Sequence, residues 1–170
     1  MEEIIDQLAA TIRAAVAGNA PLCIRSGGTK DFYGQQDKGR DGTSGSILDP
    51  SAYAGIVDYE PTELVVTARA GTPLMQLETE LNGHGQMLAF EPPHFGAGAT
   101  LGGCIATGLS GPRRASAGAV RDFVLGVRML DGRGDDLSFG GQVMKNVAGY
   151  DIPCLRRVPW AHWDYCWKFP

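Results

Sequence analysis

The chain has 170 residues, 44% of them hydrophobic, and a formal net charge of −4; it can bury one sizeable core, as one domain or two small subdomains sharing a ligand, and cannot hold a second full domain. The acidic balance and the lack of a Lys/Arg cluster exclude a nucleic acid or an anionic membrane as the expected partner, Arg113 and Arg114 being the only adjacent basic pair before residue 150. No apolar run approaches the length of a spanning helix, and MEEIIDQL is acidic where a secretory signal is basic, so a soluble cytoplasmic chain is expected.

Ile4, Ile5, Leu8, Ile12 and Val16 recur at helical spacing before the stop Gly18-Asn19-Ala20-Pro21, which predicts an amphipathic helix over 2–17. Residues 21–25 then read as a short buried strand. It runs into Ser26-Gly27-Gly28-Thr29-Lys30, a turn whose glycines permit positive φ and whose hydroxyls and amides can close on phosphate oxygens. An ordinary strand-ending turn is the equal alternative for that segment alone. Residues 46–49, 55–59 and 63–70 read as strands, the last being the clearest in the chain. Thr72 and Pro73 fit the cap and first position of a helix that carries Leu74, Leu77 and Leu81 inward and ends near Gly83.

From Glu91 to Gly126 eight of 36 residues are glycine, yet the segment stays apolar and nearly uncharged until its end. Gly96, Gly98, Gly102, Gly103, Gly108, Gly111, Gly118 and Gly126 remove Cβ atoms where backbone must approach something closely, while Leu101, Ile105, Ala106 and Leu109 keep the segment buried. A tightly wound structural loop would satisfy this pattern. A backbone cradle for a large flat cofactor with a phosphate tail satisfies it better. Residues 123–130 form the next strand, and Asp131-Gly132-Arg133-Gly134 turns it into 136–139 as a hairpin. The pattern is α+β. It lacks regular strand/helix alternation, a G-x-G-x-x-G with a later acidic residue, and a P-loop, so Rossmann and P-loop readings fail. Cys23, Cys104, Cys154 and Cys166 are widely spaced without flanking His ligands and read as reduced thiols, with no metal site.

Six ordered motifs carry a family resemblance over residues 1–152: I-R-S-G-G-T at 24–29, D-Y-E-P-T-E-L-V-V-T-A-R-A-G-T-P at 58–73, E-P-P-H-F-G-A-G-A-T-L-G-G at 91–103, A-T-G-L-S-G-P-R-R at 106–114, V-R-D-F-V-L-G at 120–126 and G-G-Q-V-M-K-N-V-A-G-Y-D at 140–151. The chain resembles the FAD-binding subunit of bacterial glycolate oxidase, in the vanillyl-alcohol-oxidase (PCMH-type) flavoprotein superfamily. The resemblance implies an α+β FAD-binding fold of two subdomains with the cofactor stretched between them. It places Arg25, Ser26, Gly27, Gly28 and Thr29 on the pyrophosphate. Pro92, Thr100, Gly102, Gly103, Thr107, Gly108 and Gly111 are implied along the pyrophosphate and isoalloxazine path, and Gly118, Val120, Arg121 and Asp122 on the next cofactor-facing turn. Several family members tether flavin through a His in the first loop; here Thr29 and Lys30 stand there, and the histidines are His84, His94 and His162, which implies noncovalent FAD.

His94 lies in the cradle, where a packed ring beside Phe95 outweighs a general base. Lys145, Asn146, Tyr150 and Asp151 either orient the second half of the site or begin a capped helix. The implied activity is oxidation of a 2-hydroxy acid, glycolate to glyoxylate, the catalytic residues being unassigned. The implied partners are a second flavin subunit and an iron–sulfur subunit, with any inner-membrane association made through them. A noncatalytic remnant of the same fold without flavin is the alternative, and an aryl-alcohol or lactate oxidoreductase of the superfamily is a third reading.

Trp160, Trp163, Trp167 and two of the four cysteines fall in the last 17 residues, a break in composition. Taking the third base of each codon with the first two of the next, from Trp160 to Pro170, forces G-[T/A/S/P]-L-G-L-L-L-E-[I/V]-[P/S]. Codon choice cannot alter the G, L, G, L, L, L and E. The family shows such a G-T-L-G and apolar strand soon after G-Y-D. A frame slip between about Asp151 and Arg157 is therefore expected, making 1–152 an incomplete FAD-binding domain, 153–170 an aberrant tail, and the last FAD-binding loop and the C-terminal substrate domain missing.

Overall fold

Glu2–Ala17 form α1 in the computed structural model, which describes residues 2–33 and 45–140. Ile5, Leu8, Ala9 and Ile12 are buried on one stripe of α1, as their spacing requires, whereas Val16 in the last turn is exposed. Arg13 donates to the Gly134 carbonyl at 2.7 Å and ties α1 to a turn far along the chain.

Strands β1 (Leu22–Ile24) and β2 (Ser46–Leu48) pair in parallel, Leu22 opposite Ser46 and Ile24 opposite Leu48. The expectation of a buried strand at 21–25 is corrected here. β1 has only β2 beside it among the described residues, and Cys23 and Ile24 are exposed. Strands β3 (Ile56–Glu60) and β4 (Val65–Ala68) form an antiparallel pair with an irregularity between Ile56 and Asp58. The predicted strand 63–70 shortens because Glu63 and Leu64 complete a turn, with Leu64 at φ 57°.

Helix α2 (Leu74–Gly83) buries Leu74, Leu77 and Leu81 at the expected spacing. Its cap differs from expectation. Pro73 occupies the N-cap position without a side-chain cap, and the fully buried Thr72 hydroxyl instead accepts from Gly55 N–H at 2.9 Å and contacts the Gly55 carbonyl at 3.2 Å. The start of α2 does not need the hydroxyl, since the Leu74 N–H already donates to the Ala99 carbonyl at 2.9 Å and the Gln76 and Leu77 N–H groups to the Pro73 carbonyl.

The glycine-rich segment contains helices that periodicity did not reveal: α3 (Leu101–Thr107), the single-turn α4 (Arg114–Ala117) and a 3₁₀ turn over Val120–Asp122. Thr100 caps α3, its Oγ1 accepting from Gly103 N–H at 3.3 Å, and Gly108 ends it in the left-handed region at φ 63°. Leu101, Cys104 and Ile105 of α3 are buried, but Ala106 is exposed and Leu109 half-buried, so the helix hides one stripe only. Strands β5 (Gly126–Leu130) and β6 (Asp136–Gly140) form the expected hairpin, Gly126 opposite Gly140. β5 starts later than 123 because Phe123 closes the 3₁₀ turn, its N–H bonding the Val120 carbonyl.

One hydrophobic cluster runs through these pieces, joining Ile5, Leu8 and Ile12 of α1 to Leu74 and Leu77 of α2, Leu101 and Ile105 of α3, and Val127 and Met129 of β5. Burying each such side chain contributes roughly 1.5–3 kcal/mol. The core thus fixes α3 against α2, and the loop that precedes α3 is carried to the end of β1.

Candidate cofactor site

Two loops far apart in sequence meet along a seam. The turn 26–30 that leaves β1 lies against residues 94–100, the approach to α3. Ser26 Oγ and Thr100 Oγ1 are hydrogen-bonded at 2.9 Å. Gly27 packs directly on the Gly98 carbonyl, so closely that a Cβ on Gly27 would overlap it. A Cβ on Gly96 would come within 3.2 Å of Thr29 Cγ2, and Phe32 meets Phe95 edge-on with ring centroids 5.0 Å apart. Sterically, Gly27 is required by backbone meeting backbone, and Gly96 by its positive φ of 143°.

The seam is rich in donors with no protein partner. Among the described residues, the N–H groups of Ser26, Gly27, Gly28, Thr29 and Lys30 make no hydrogen bond, and neither do those of His94 to Gly98. Gly28 is left-handed at φ 65°, which helps turn successive amides of the first loop to one side. Glu91 and Phe95 hold positive φ values of 52° and 55° without being glycine, and such strain gathers at ligand-binding loops. Lys30 Nζ is shut off from solvent and has no hydrogen-bond partner; burial holds its pKa below the ordinary lysine value, partly opposed by the nearby Cys104. An orphaned buried ammonium on the same loop as a run of open amides suits an anion.

The remaining expected residues divide. Arg25 lies at the turn, but its guanidinium is drawn to Asp31 at 2.6 Å, an exposed ion pair that folds back over Gly28. Thr100 is committed to Ser26 and Gly103. Gly102 donates to the Ala70 carbonyl at 2.8 Å and lets α3 approach Ala70, where a Cβ would lie 2.9 Å from the Ala70 Cβ. The Thr107 hydroxyl bonds back to the Gly103 and Cys104 carbonyls at 2.9 and 3.1 Å. Pro92 is buried, Gly108 caps α3, and Gly111 packs on the Glu91 carbonyl while donating to Phe90. Farther along, Asp122 accepts from Ala119 N–H at 2.7 Å beneath Gly118, Val120 is buried with its N–H on Ser110 Oγ at 3.0 Å, and Arg121 is exposed 3.6 Å from Asp122. Apart from the exposed Arg121, their polar groups therefore serve local structure. The expected residues with open donors gather at 26–29, and Gly103 borders the seam through Thr100.

His94 is bonded through Nε2 to Glu78 of α2 at 3.0 Å, with both side chains about a third exposed, which fits a packed and paired ring. Cys104 is buried on α3 and its thiol is pushed up to about 12, first by burial and further by Glu78, against the opposing effect of Lys30. Lys145, Asn146, Tyr150 and Asp151, with the expected tail 153–170, lie outside the described residues. Among the described residues no group of three or more His, Cys, Asp or Glu could hold a metal, and no helix is long and apolar enough to cross a membrane.

The model of the FAD binding domain family matches residues 3–140. The chain belongs to this FAD-binding domain family. It is 51% identical over 144 residues to glycolate oxidase subunit GlcE of Escherichia coli, covering 85% of this chain and 39% of that protein. It is 32% identical over 155 residues to D-lactate dehydrogenase of Archaeoglobus fulgidus, covering 86% of this chain and 32% of that protein. The chain thus spans about a third of the length of these relatives. Among solved structures, alkyldihydroxyacetonephosphate synthase superposes with a TM-score of 0.72 at 17% identity, over 96% of this chain and 29% of that one. That likeness shows the α+β fold, and the family match makes it an FAD-binding one. FAD is the cofactor of this domain, and the open amides and buried ammonium at the seam fit its negatively charged diphosphate.

Proposed function

We propose that the chain is the FAD-binding part of a glycolate-oxidase-like subunit, supporting flavin-dependent oxidation of a 2-hydroxy acid, glycolate to glyoxylate. The observation that carries this reading is the seam at 26–30 and 94–98, whose unpartnered donors suit a dinucleotide diphosphate in a chain that is 51% identical to a glycolate oxidase subunit. Bound FAD would supply the two-electron acceptor for oxidation of the hydroxyl-bearing carbon, the hydroxyl proton leaving to solvent or to a base in the rest of the subunit. The chain's own residues bind and orient. Amides of 26–29 hold the diphosphate, the Ser26–Thr100 bond keeps the first loop on α3, and the small residues from Gly96 to Gly103 keep backbone close to the cofactor path. Pro92, Thr107, Gly108, Gly111 and the turn with Gly118, Val120, Arg121 and Asp122 shape that path from behind, without donating to it. FAD is held noncovalently, as the first loop carries Thr29 and Lys30 in place of a tethering His and His94 is engaged by Glu78.

Residues 1–152 form the incomplete FAD-binding domain and 153–170 the aberrant tail. Substrate contacts and catalytic residues belong to the rest of the subunit. The subunit works with a second flavin subunit and an iron–sulfur subunit, in the cytoplasm, and reaches the inner membrane through them.

The test is titration of the purified chain with FAD, followed by desalting and a visible spectrum. Flavin bands that survive desalting and vanish on acid precipitation of the protein support a noncovalent site. A colourless chain that regains flavin only when the downstream frame is restored would assign retention to the missing loop and strand.

A further inference from the structure

Lys30 is the one residue of the first loop whose charge has no answer within the described protein. Its Nζ has no access to solvent and no hydrogen-bond partner. The neighbouring Cys104 thiol is buried and protonated, with its pKa near 12, so it supplies no negative charge. The carboxylate that also acts on Cys104, Glu78, is engaged by His94 at 3.0 Å. Asp31, next in sequence, takes Arg25 at 2.6 Å. A buried cation left this way destabilises the protein that carries it, unless a ligand brings the counter-charge. Immediately before it in the chain, four more N–H groups, from Ser26 to Thr29, are without partners.

From this juxtaposition we propose that Lys30 is the cationic anchor of the site, its ammonium pairing with the diphosphate of the bound dinucleotide while the amides of 26–30 hold the same oxygens. The inference rests on the flavin reading above and assigns to Lys30 a role beyond it. Lysine suits this place because a compact ammonium on a flexible stem can be buried beneath a loop and still meet phosphate as a point charge. Apo stability is lowered by the same group that raises affinity, so the two properties should move in opposite directions when the charge is removed.

The experiment compares wild type, Lys30→Met, Lys30→Gln and Lys30→Arg as full 170-residue chains. Binding of FAD is read by flavin fluorescence, binding of ADP by calorimetry, and apo stability by the circular-dichroism melting midpoint. Loss of a charge-assisted contact predicts that Lys30→Met weakens FAD and ADP alike by about tenfold to a hundredfold, with a flatter dependence of affinity on salt and a higher apo midpoint. Lys30→Met that binds both ligands as wild type does would overturn the assignment. So would weakened FAD with unchanged ADP, which moves the charge to the flavin end. If Lys30→Met loses cooperative melting, Lys30→Arg and Lys30→Gln decide: the charged variant must bind ADP more tightly than the neutral one, and equal binding overturns the proposal. A frame-restored chain that binds ADP but not FAD would sink the flavin reading and leave the diphosphate anchor standing; a frame-restored chain that binds neither sinks both.

Discussion

The turn 26–30 and the segment 100–122 are both glycine-rich and both belong to the expected cofactor path, yet they spend their polar groups differently. In the second segment nearly every polar group has a protein partner: Thr100 caps α3, Gly102 donates to Ala70, Thr107 bonds back along the helix and Asp122 holds Ala119. In the first, five consecutive amides and a buried ammonium have none. Glycine thus serves two purposes within one site. In 100–122 it lets protein pack on protein beside paired donors; in 26–30 Gly27 packs on Gly98 as closely, but the amides around it stay open for something else.

The most severe way to break this contrast is Gly27→Ala, whose Cβ would collide with the Gly98 carbonyl, backbone against backbone. The seam must part, and the expected cost is about 3 kcal/mol with loss of flavin retention, read from urea unfolding and the post-desalting spectrum. Leu77→Ala removes a side chain buried at 1% exposure between α2 and the core; about 2–5 kcal/mol of stability should go, while the affinity of the remaining folded protein for FAD stays near wild type. Thr100→Ala deletes both the α3 cap and the bond to Ser26, so it should cost about 1–2 kcal/mol and loosen FAD as well. A stability loss without any change in FAD affinity would separate the seam from binding.

Cys104 sharpens the comparison by pH. Its folded pKa is raised to about 12 from the ordinary 9.0, so the folded state keeps a proton that the unfolded state releases. That contribution is complete below about pH 9 and disappears progressively as pH rises towards 12. Cys104→Ala should flatten this alkaline slope in melting curves. In the native chain at pH 8 a thiol reagent should label exposed Cys23 and spare Cys104. The smallest effect is expected for Arg128→Ala, which breaks a two-pronged pair with Asp136 across the β5–β6 hairpin at 2.6–3.0 Å, with both side chains 35% exposed. Solvent screening limits the loss to about 0.5 kcal/mol, and FAD binding should not respond.

The sequence made the amphipathic α1, the inward leucines of α2 and the β5–β6 hairpin legible, because each carries a periodic pattern that burial enforces. Helix α3 was not legible. Its sequence LGGCIAT holds two glycines, each costing about 1 kcal/mol relative to alanine in a helix, and it forms because Leu101, Cys104 and Ile105 enter the core and Thr100 caps it. Thr72 misled for a related reason: a good capping residue was claimed by Gly55, 17 positions away. At the site, the motif order located the two loops but could not tell which of their donors remain open, since that depends on pairings such as Gly102 with Ala70. The motif puts Lys30 in the turn but assigns it no role of its own. Its meaning required knowing that its nitrogen is buried.

The Ser26–Thr100 bond spans 74 residues. Closing a chain loop of that length costs on the order of 4 kcal/mol in entropy, against the roughly 1 kcal/mol that such a bond returns. The bond cannot gather the two loops by itself; it can form only after α2, α3 and β2 have docked. The turn 26–30 is then among the last parts of the domain to assemble and among the first to open on warming, so a cofactor held there would leave below the temperature at which the core melts, and flavin release and unfolding would register as two separate events in a thermal scan.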